Sequence, residues 1–240
     1  MLTRLDDFSE TEWVLNGRVP LAREALPPVR VSNLLPPVFE AWRKVLHPMY
    51  RNVEIDGHVM RGPRVRWEEM AREHAVAFGP EIHLASFARA FPGGRWPPRV
   101  QAPREGTLDA ETCMAVIEIL EAHTRAEHCY FYYTGISANY SDEEGFARQL
   151  YRGTARDVLE FEGMAAVNAT PEYWWPEDRA WCVHTDWDTA FTLIGGRAVA
   201  MEELGQHPEL ESVRLEATSR VDFDPDGIDT ALDGIDTARS

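Results

Sequence analysis

Lysine is almost absent from this chain. Lys44 is the single one, so every other member of the 24 basic residues is arginine. A phosphate-binding P-loop needs a lysine behind its glycines, and neither Gly93-Gly94-Arg95 nor Gly195-Gly196-Arg197 supplies it; the second pair, ahead of a predicted helix, offers a generic anion site and no more. Cysteine is scarce too. Cys113, Cys129 and Cys182 are odd in number and widely spaced, without a Cys-x-x-Cys pair, which excludes a disulfide framework and a zinc ribbon and predicts buried free thiols. No apolar run approaches the eighteen or so residues of a membrane span, and Met1 to Asp7 turns acidic without an apolar core, so the expectation is a cytoplasmic protein without a membrane partner. Recognisable catalytic motifs are missing as well. There is no His-Glu-x-x-His, and Gly135-Ile136-Ser137-Ala138-Asn139 ends in asparagine where a nucleophile elbow has its second glycine.

What is present is an ordinary globular composition, 44% hydrophobic and 27% charged, with enough apolar residues to bury a core. The net charge of −16 is unevenly spread. Residues 1–104 hold 15 basic and 12 acidic residues (+3), and residues 105–240 hold 9 and 28 (−19). The acidic half repels nucleic-acid backbones, which excludes DNA or RNA as its partner and favours a basic protein.

The densest feature is aromatic. Trp174, Trp175, Trp181 and Trp187, four of eight tryptophans, fall within fourteen residues. Clustered indoles usually build a core wall, and an exposed partner-binding surface is the alternative. Pro171 to Arg179 is too broken by proline for a long helix; Trp181 to His184 and Phe191 to Ile194 read as strands around a turn at Asp186-Trp187-Asp188-Thr189. Cys129 to Thr134 reads as a strand covered on both faces or lying at a partner surface, Arg156 to Gly163 as another strand, and Ser212 to Ala217 as an edge strand. Helices are predicted from Pro36 to Pro48, over Arg64–Gly79, His83–Phe91, Thr107 (as cap) to Ala126, and Arg197–Gly205. The Pro- and Gly-rich stretch from Pro92 to Gly106 is a loop.

Candidate chemistry is thin. His123, His128 and Cys129 lack metal-site spacing, because a five-residue offset turns two helical rings apart. His184 with Asp186 and Asp188 holds an imidazole and two carboxylates, but aspartate is at home in turns and the turn reading is preferred. The tail repeats Asp226-Gly227-Ile228-Asp229-Thr230-Ala231 as Asp233-Gly234-Ile235-Asp236-Thr237-Ala238. Asp222, Asp224 and Asp226 have calcium-loop spacing, but Pro225 interrupts it and the closing acid, Asp233, is short, so a solvated acidic tail is expected.

Leu35-Pro36-Pro37-Val38-Phe39-Glu40-Ala41-Trp42 and the block Trp175-Pro176-Glu177-Asp178-Arg179-Ala180-Trp181 resemble an uncharacterised family of actinobacterial hypothetical proteins. The resemblance implies a lineage and one domain, and carries no activity. The expectation is an α+β fold with helices packed on one face of a mostly antiparallel four- to five-stranded sheet. Residues 1–32 would be an extended arm, 33–220 the domain, and 221–240 a disordered tail. The expected function is a non-enzymatic, immunity-like or regulatory interaction module without metal or cofactor, contacting a basic protein through Trp174, Trp175, Glu177, Asp178, Asp186 and Asp188. The alternative is a hydrolase or transferase whose site assembles only in three dimensions.

Overall fold

The computed structural model describes residues 1–21, 28–88, 90–135, 148–163 and 169–222. In chain order they form β1 (Thr3–Leu5), a 3-10 turn (Ser9–Thr11), α1 (Glu12–Gly17), α2 (Val31–Leu34), β2 (Ala41–Leu46), β3 (Met49–Ile55) and β4 (His58–Val65). Next come α3 (Trp67–Glu73), α4 (Leu84–Ala88), a 3-10 turn (Pro92–Gly94), β5 (Val100–Gln101), α5 (Ala110–Ala122), β6 (Cys129–Tyr133) and β7 (Gln149–Gly153). A 3-10 helix (Ala155–Gly163), β8 (Tyr173–Pro176), β9 (Cys182–His184), β10 (Phe191–Gly196), α6 (Ala198–Gln206) and β11 (Ser212–Leu215) complete the order. Residues 223–240, most of the expected tail, and Ser137 with its neighbours lie outside the described residues.

The α+β, antiparallel expectation holds, but the sheet is larger than expected. Eight strands pair in the order β1-β7-β6-β8-β9-β10-β2-β11, and β4-β3-β5 form a second, small sheet. Both faces of the large sheet are covered, where cover on one was expected. Side chains alternate across a strand, so Phe131, Trp174, Val183 and Ile194 face α5, α6 and the 3-10 helix after β7. Tyr132, Tyr173, Trp175 and Leu193 face a second core with Val14, Leu35, Trp67 and Phe87. Trp181 joins the first core at 0% exposure and donates its indole N–H to the Leu120 carbonyl at 2.9 Å, tying the start of β9 to the end of α5.

Two-faced burial explains the misread elements. β2 lies between β10 and β11 and is buried almost throughout. Its apolar residues belong to both faces, so Trp42, Val45 and Leu46 imitate helical spacing and the helix predicted from Pro36 is a strand. The strand predicted over 156–163 is a 3-10 helix: Asp157 accepts the Thr154 N–H through its carboxylate at 2.8 Å, and the Asp157 N–H bonds the Thr154 carbonyl at 3.0 Å. The strand belongs just before it, in β7, and β8 is a further strand ending at its proline. The extended arm is corrected too, since β1 pairs with β7 at the sheet edge and Val14 of α1 is fully buried.

The lone lysine is a core residue. Lys44 has 0% exposure, donates to the carbonyls of Pro80 and Ile82, and lies 4.8 Å from the centre of the Phe191 ring. Burial pushes its pKa down to about 8.

Candidate functional site

The expected contact residues separate into three groups. Trp174 and Trp175 are fully buried on opposite faces of the sheet, so neither is a partner anchor; continuous cover on both sides of β8 is the physical reason. Glu177 and Asp178 sit in the tight turn between β8 and β9, closed by the Arg179 N–H on the Pro176 carbonyl at 2.8 Å. Glu177 pairs with Arg152 at 2.7 Å. Asp178 accepts the Thr124 hydroxyl and the Arg125 N–H, each at 2.8 Å, and the Ala180 N–H at 3.2 Å. Burial opposes ionisation of Asp178, but these hydrogen bonds prevail and hold its pKa below the usual carboxylate range. These two acids are therefore turn and tether residues. Asp186 and Asp188 lie at the other end of β9, in the β9–β10 connection.

That connection is the expected turn, with the Thr189 N–H on the Asp186 carbonyl at 3.2 Å. Its centre, Trp187, is 48% exposed. The loop before α5 backs it. Gly106 has φ +71°, its N–H bonds the Thr189 carbonyl at 3.0 Å, and a Cβ there would meet the Trp187 carbonyl oxygen at 2.6 Å. Only glycine tolerates both that backbone conformation and that approach. The same loop carries Glu105, whose pKa burial raises, aided by the charge of Asp188. Burial, then the charge and side-chain hydrogen bond of Asp188, then Glu172, push the half-buried Asp186 up to about 7. Glu172 is anchored behind them, accepting the N–H and hydroxyl of Thr134.

Histidine 184 does not join these acids. Its ring stacks on Tyr173 with centroids 4.4 Å apart, Nδ1 bonds the Glu172 carbonyl at 3.0 Å, and burial pushes its pKa down to about 3. The His123, His128, Cys129 grouping fails similarly: His123 meets Glu203 at 2.8 Å and Cys129 is buried. Among the described residues no group of three or more histidines, cysteines or acids could hold a metal ion.

Beneath the loop lies a cavity of about 210 Å³, lined by residues including His47, Tyr50, Arg61, Arg104 and Asp109. Its polar groups are engaged with one another. His47 Nδ1 donates to the Arg104 carbonyl at 2.6 Å, because a carbonyl only accepts. Nε2 then accepts from Thr192 at 3.0 Å, and Thr192 accepts from Thr185 at 2.8 Å. Burial pushes the His47 pKa down to about 4. Tyr50 donates to Asp109 at 2.5 Å, and burial followed by that carboxylate raises its pKa. Asp109 is the N-cap of α5, accepting the Thr112 N–H at 2.9 Å, where Thr107 was expected; Thr107 lies two residues too early and receives the Thr170 N–H instead. The Arg61 guanidinium lies 3.6 Å from the centre of the Tyr50 ring.

No protein-family model matches this chain, and no curated protein or solved structure does. Within the described residues no helix is long and apolar enough to cross a membrane.

Proposed function

We propose that this chain is a non-enzymatic docking module, immunity-like or regulatory, that takes a basic partner protein at the β9–β10 turn. The observation that carries the reading is Trp187, half-exposed between Asp186 and Asp188 with Glu105 beside them. An indole face and carboxylates together suit an arginine or lysine side chain, by cation–π attraction and charge-assisted hydrogen bonds. The turn is backed by Gly106 and by the Thr185–Thr192–His47 chain, and such preorganisation lowers the ordering cost of binding. Acids elsewhere in the C-terminal half add long-range steering.

The alternative, a hydrolase or transferase, draws on the raised pKa of Asp186 beside Asp188, which resembles an acid–base pair. The neighbouring groups favour docking: both ring nitrogens of His47 are engaged, and the Tyr50 proton is held by Asp109. The test is affinity capture followed by binding kinetics against the captured protein. The expected partner is basic at its contact face, with association slowing as salt rises past about 0.1 M, where the screening length is about 10 Å. Asp188→Asn should slow association, and Trp187→Ala should speed dissociation. Turnover of a small molecule abolished by Asp186→Asn, with no salt-sensitive partner, would replace this reading with the enzyme.

A further inference from the structure

The β3–β4 hairpin presents a second surface, made of different residues. Every residue from Val53 to Arg61 is exposed, and among them Val53 (37%), Ile55 (55%), Val59 (70%) and Met60 (51%) are large and apolar. β5 pairs only with Tyr50 and Arg51, so beyond the root the hairpin stands as two strands, and a two-stranded hairpin is marginal in water. Asp56 and Gly57, both at positive φ, make its turn. The register places Val53 opposite Met60 and Ile55 opposite His58. Because side chains alternate, these four share one face with Arg51, and Val59 lies on the other with Glu54.

We infer that this face is a self-association surface, on which the hairpin of a second copy packs antiparallel about a two-fold axis near Val53 and Met60. The charge pattern selects that occupant. Arg51 lies at the root and Asp56 at the tip, so a two-fold brings each tip acid to the other copy's root arginine. His58 at the tip likewise meets the root acids Glu69 and Glu73 of α3, which pair with Arg51 within one copy. Those pairs are 35–48% exposed, and ion pairs at such exposure are weak enough to exchange partners at little cost. An isologous contact of this kind closes as a dimer and does not propagate. The apolar patch is small beside the roughly 800 Å² per partner of a standard interface, so the dimer is weak and forms at high protein concentration.

Sedimentation velocity from about 10 μM to 1 mM tests this, at low and high salt. The expected result is a monomer–dimer equilibrium that strengthens with salt, because two copies of charge −16 repel each other and salt screens that repulsion. Docking of a basic partner weakens with salt, so the two surfaces fail independently. Ile55→Lys, at an exposed site where the fold is insensitive, should weaken the dimer by about tenfold or more while leaving thermal unfolding unchanged. Arg51→Asp should weaken it too, and mixing Arg51→Asp with Asp56→Arg chains should restore a heterodimer. A chain that stays monomeric to 1 mM, or dimers indifferent to Ile55→Lys, would overturn the inference. So would loss of basic-partner binding in Ile55→Lys without any self-association, since the hairpin would then belong to the partner's contact.

Discussion

Asp186→Asn separates a turn kept for structure from one kept for binding. In the folded chain the Asp186 carboxyl is raised from 3.8 to about 7, by burial first and then by Asp188. A folded-state pKa above the unfolded one means that the folded state holds the proton more tightly. The stability this contributes is complete below about pH 3.8 and is lost as pH rises through about 7. About three pKa units at 1.36 kcal/mol each give an upper bound of about 4 kcal/mol. Solvent at this partly exposed turn reduces that to roughly 2 kcal/mol. Asparagine is close in shape to the protonated acid, and its side-chain oxygen can still accept the Asp188 N–H that Asp186 accepts. Urea denaturation from pH 4 to pH 9 should therefore show the variant level with the parent at the acid end and about 2 kcal/mol more stable at pH 8, with weaker binding of a basic partner. Histidine effects are common to both proteins and cancel in the difference. A variant equally destabilised at both ends of the range would show that the carboxylate serves the fold, and the reasoning would be refuted.

Lys44→Met should abolish a pH-dependent gain: the lysine pKa falls from 10.5 to about 8 on folding, so the parent gains up to about 3 kcal/mol as pH rises from 8 towards 10.5 and the variant does not. An amine-reactive ester should leave Lys44 untouched until the chain unfolds, as peptide mapping would show. For His47, whose pKa falls from 6.5 to about 4, stability is complete above pH 6.5 and declines as pH falls to 4 by about 3 kcal/mol; His47→Gln should remove that share of the acid decline followed by tryptophan fluorescence, leaving the shares of His83 and His184, whose pKa values burial also depresses. Trp181→Ala removes a fully buried indole with its hydrogen bond to Leu120 and should cost about 3 to 5 kcal/mol in denaturant unfolding.

Legibility in the sequence followed how many faces an element buries. β6 could be read because Cys129 to Tyr133 is apolar throughout and short, a combination that suits a strand covered on both sides. α6 could be read from Gly195-Gly196 ahead of it, and β11 because it is an edge strand. β2 could not. Its apolar set serves two cores, and the period that reports a helix arises there by superposition. β1 was missed for another reason: it is a three-residue strand whose pairing with β7 joins residues almost 150 positions apart, and no local pattern encodes a partner so distant.

The site divides in the same way. The Asp186–Thr189 turn was legible from aspartate's own preferences, whereas which tryptophan remains outside was not, because Trp174, Trp175 and Trp187 differ in what covers them and hardly in local composition. What covers Trp174 and Trp175 is sheet, helix and the opposing core; what stands behind Trp187 is a glycine, and the glycine's backbone contact leaves the indole turned to solvent. Glu105 reaches the same place from more than 80 positions upstream, through a Pro- and Gly-rich loop that the sequence marks only as irregular. Burial beside Asp188 disfavours the ionised form of Asp186 and so raises the folded-state energy at neutral pH. Glu177 and Asp178, equally acidic in the sequence, are engaged with Arg152 and with backbone N–H groups, whereas Asp186 and Asp188 flank an exposed indole, and that contrast is set by the tertiary surroundings of each turn and not by its composition.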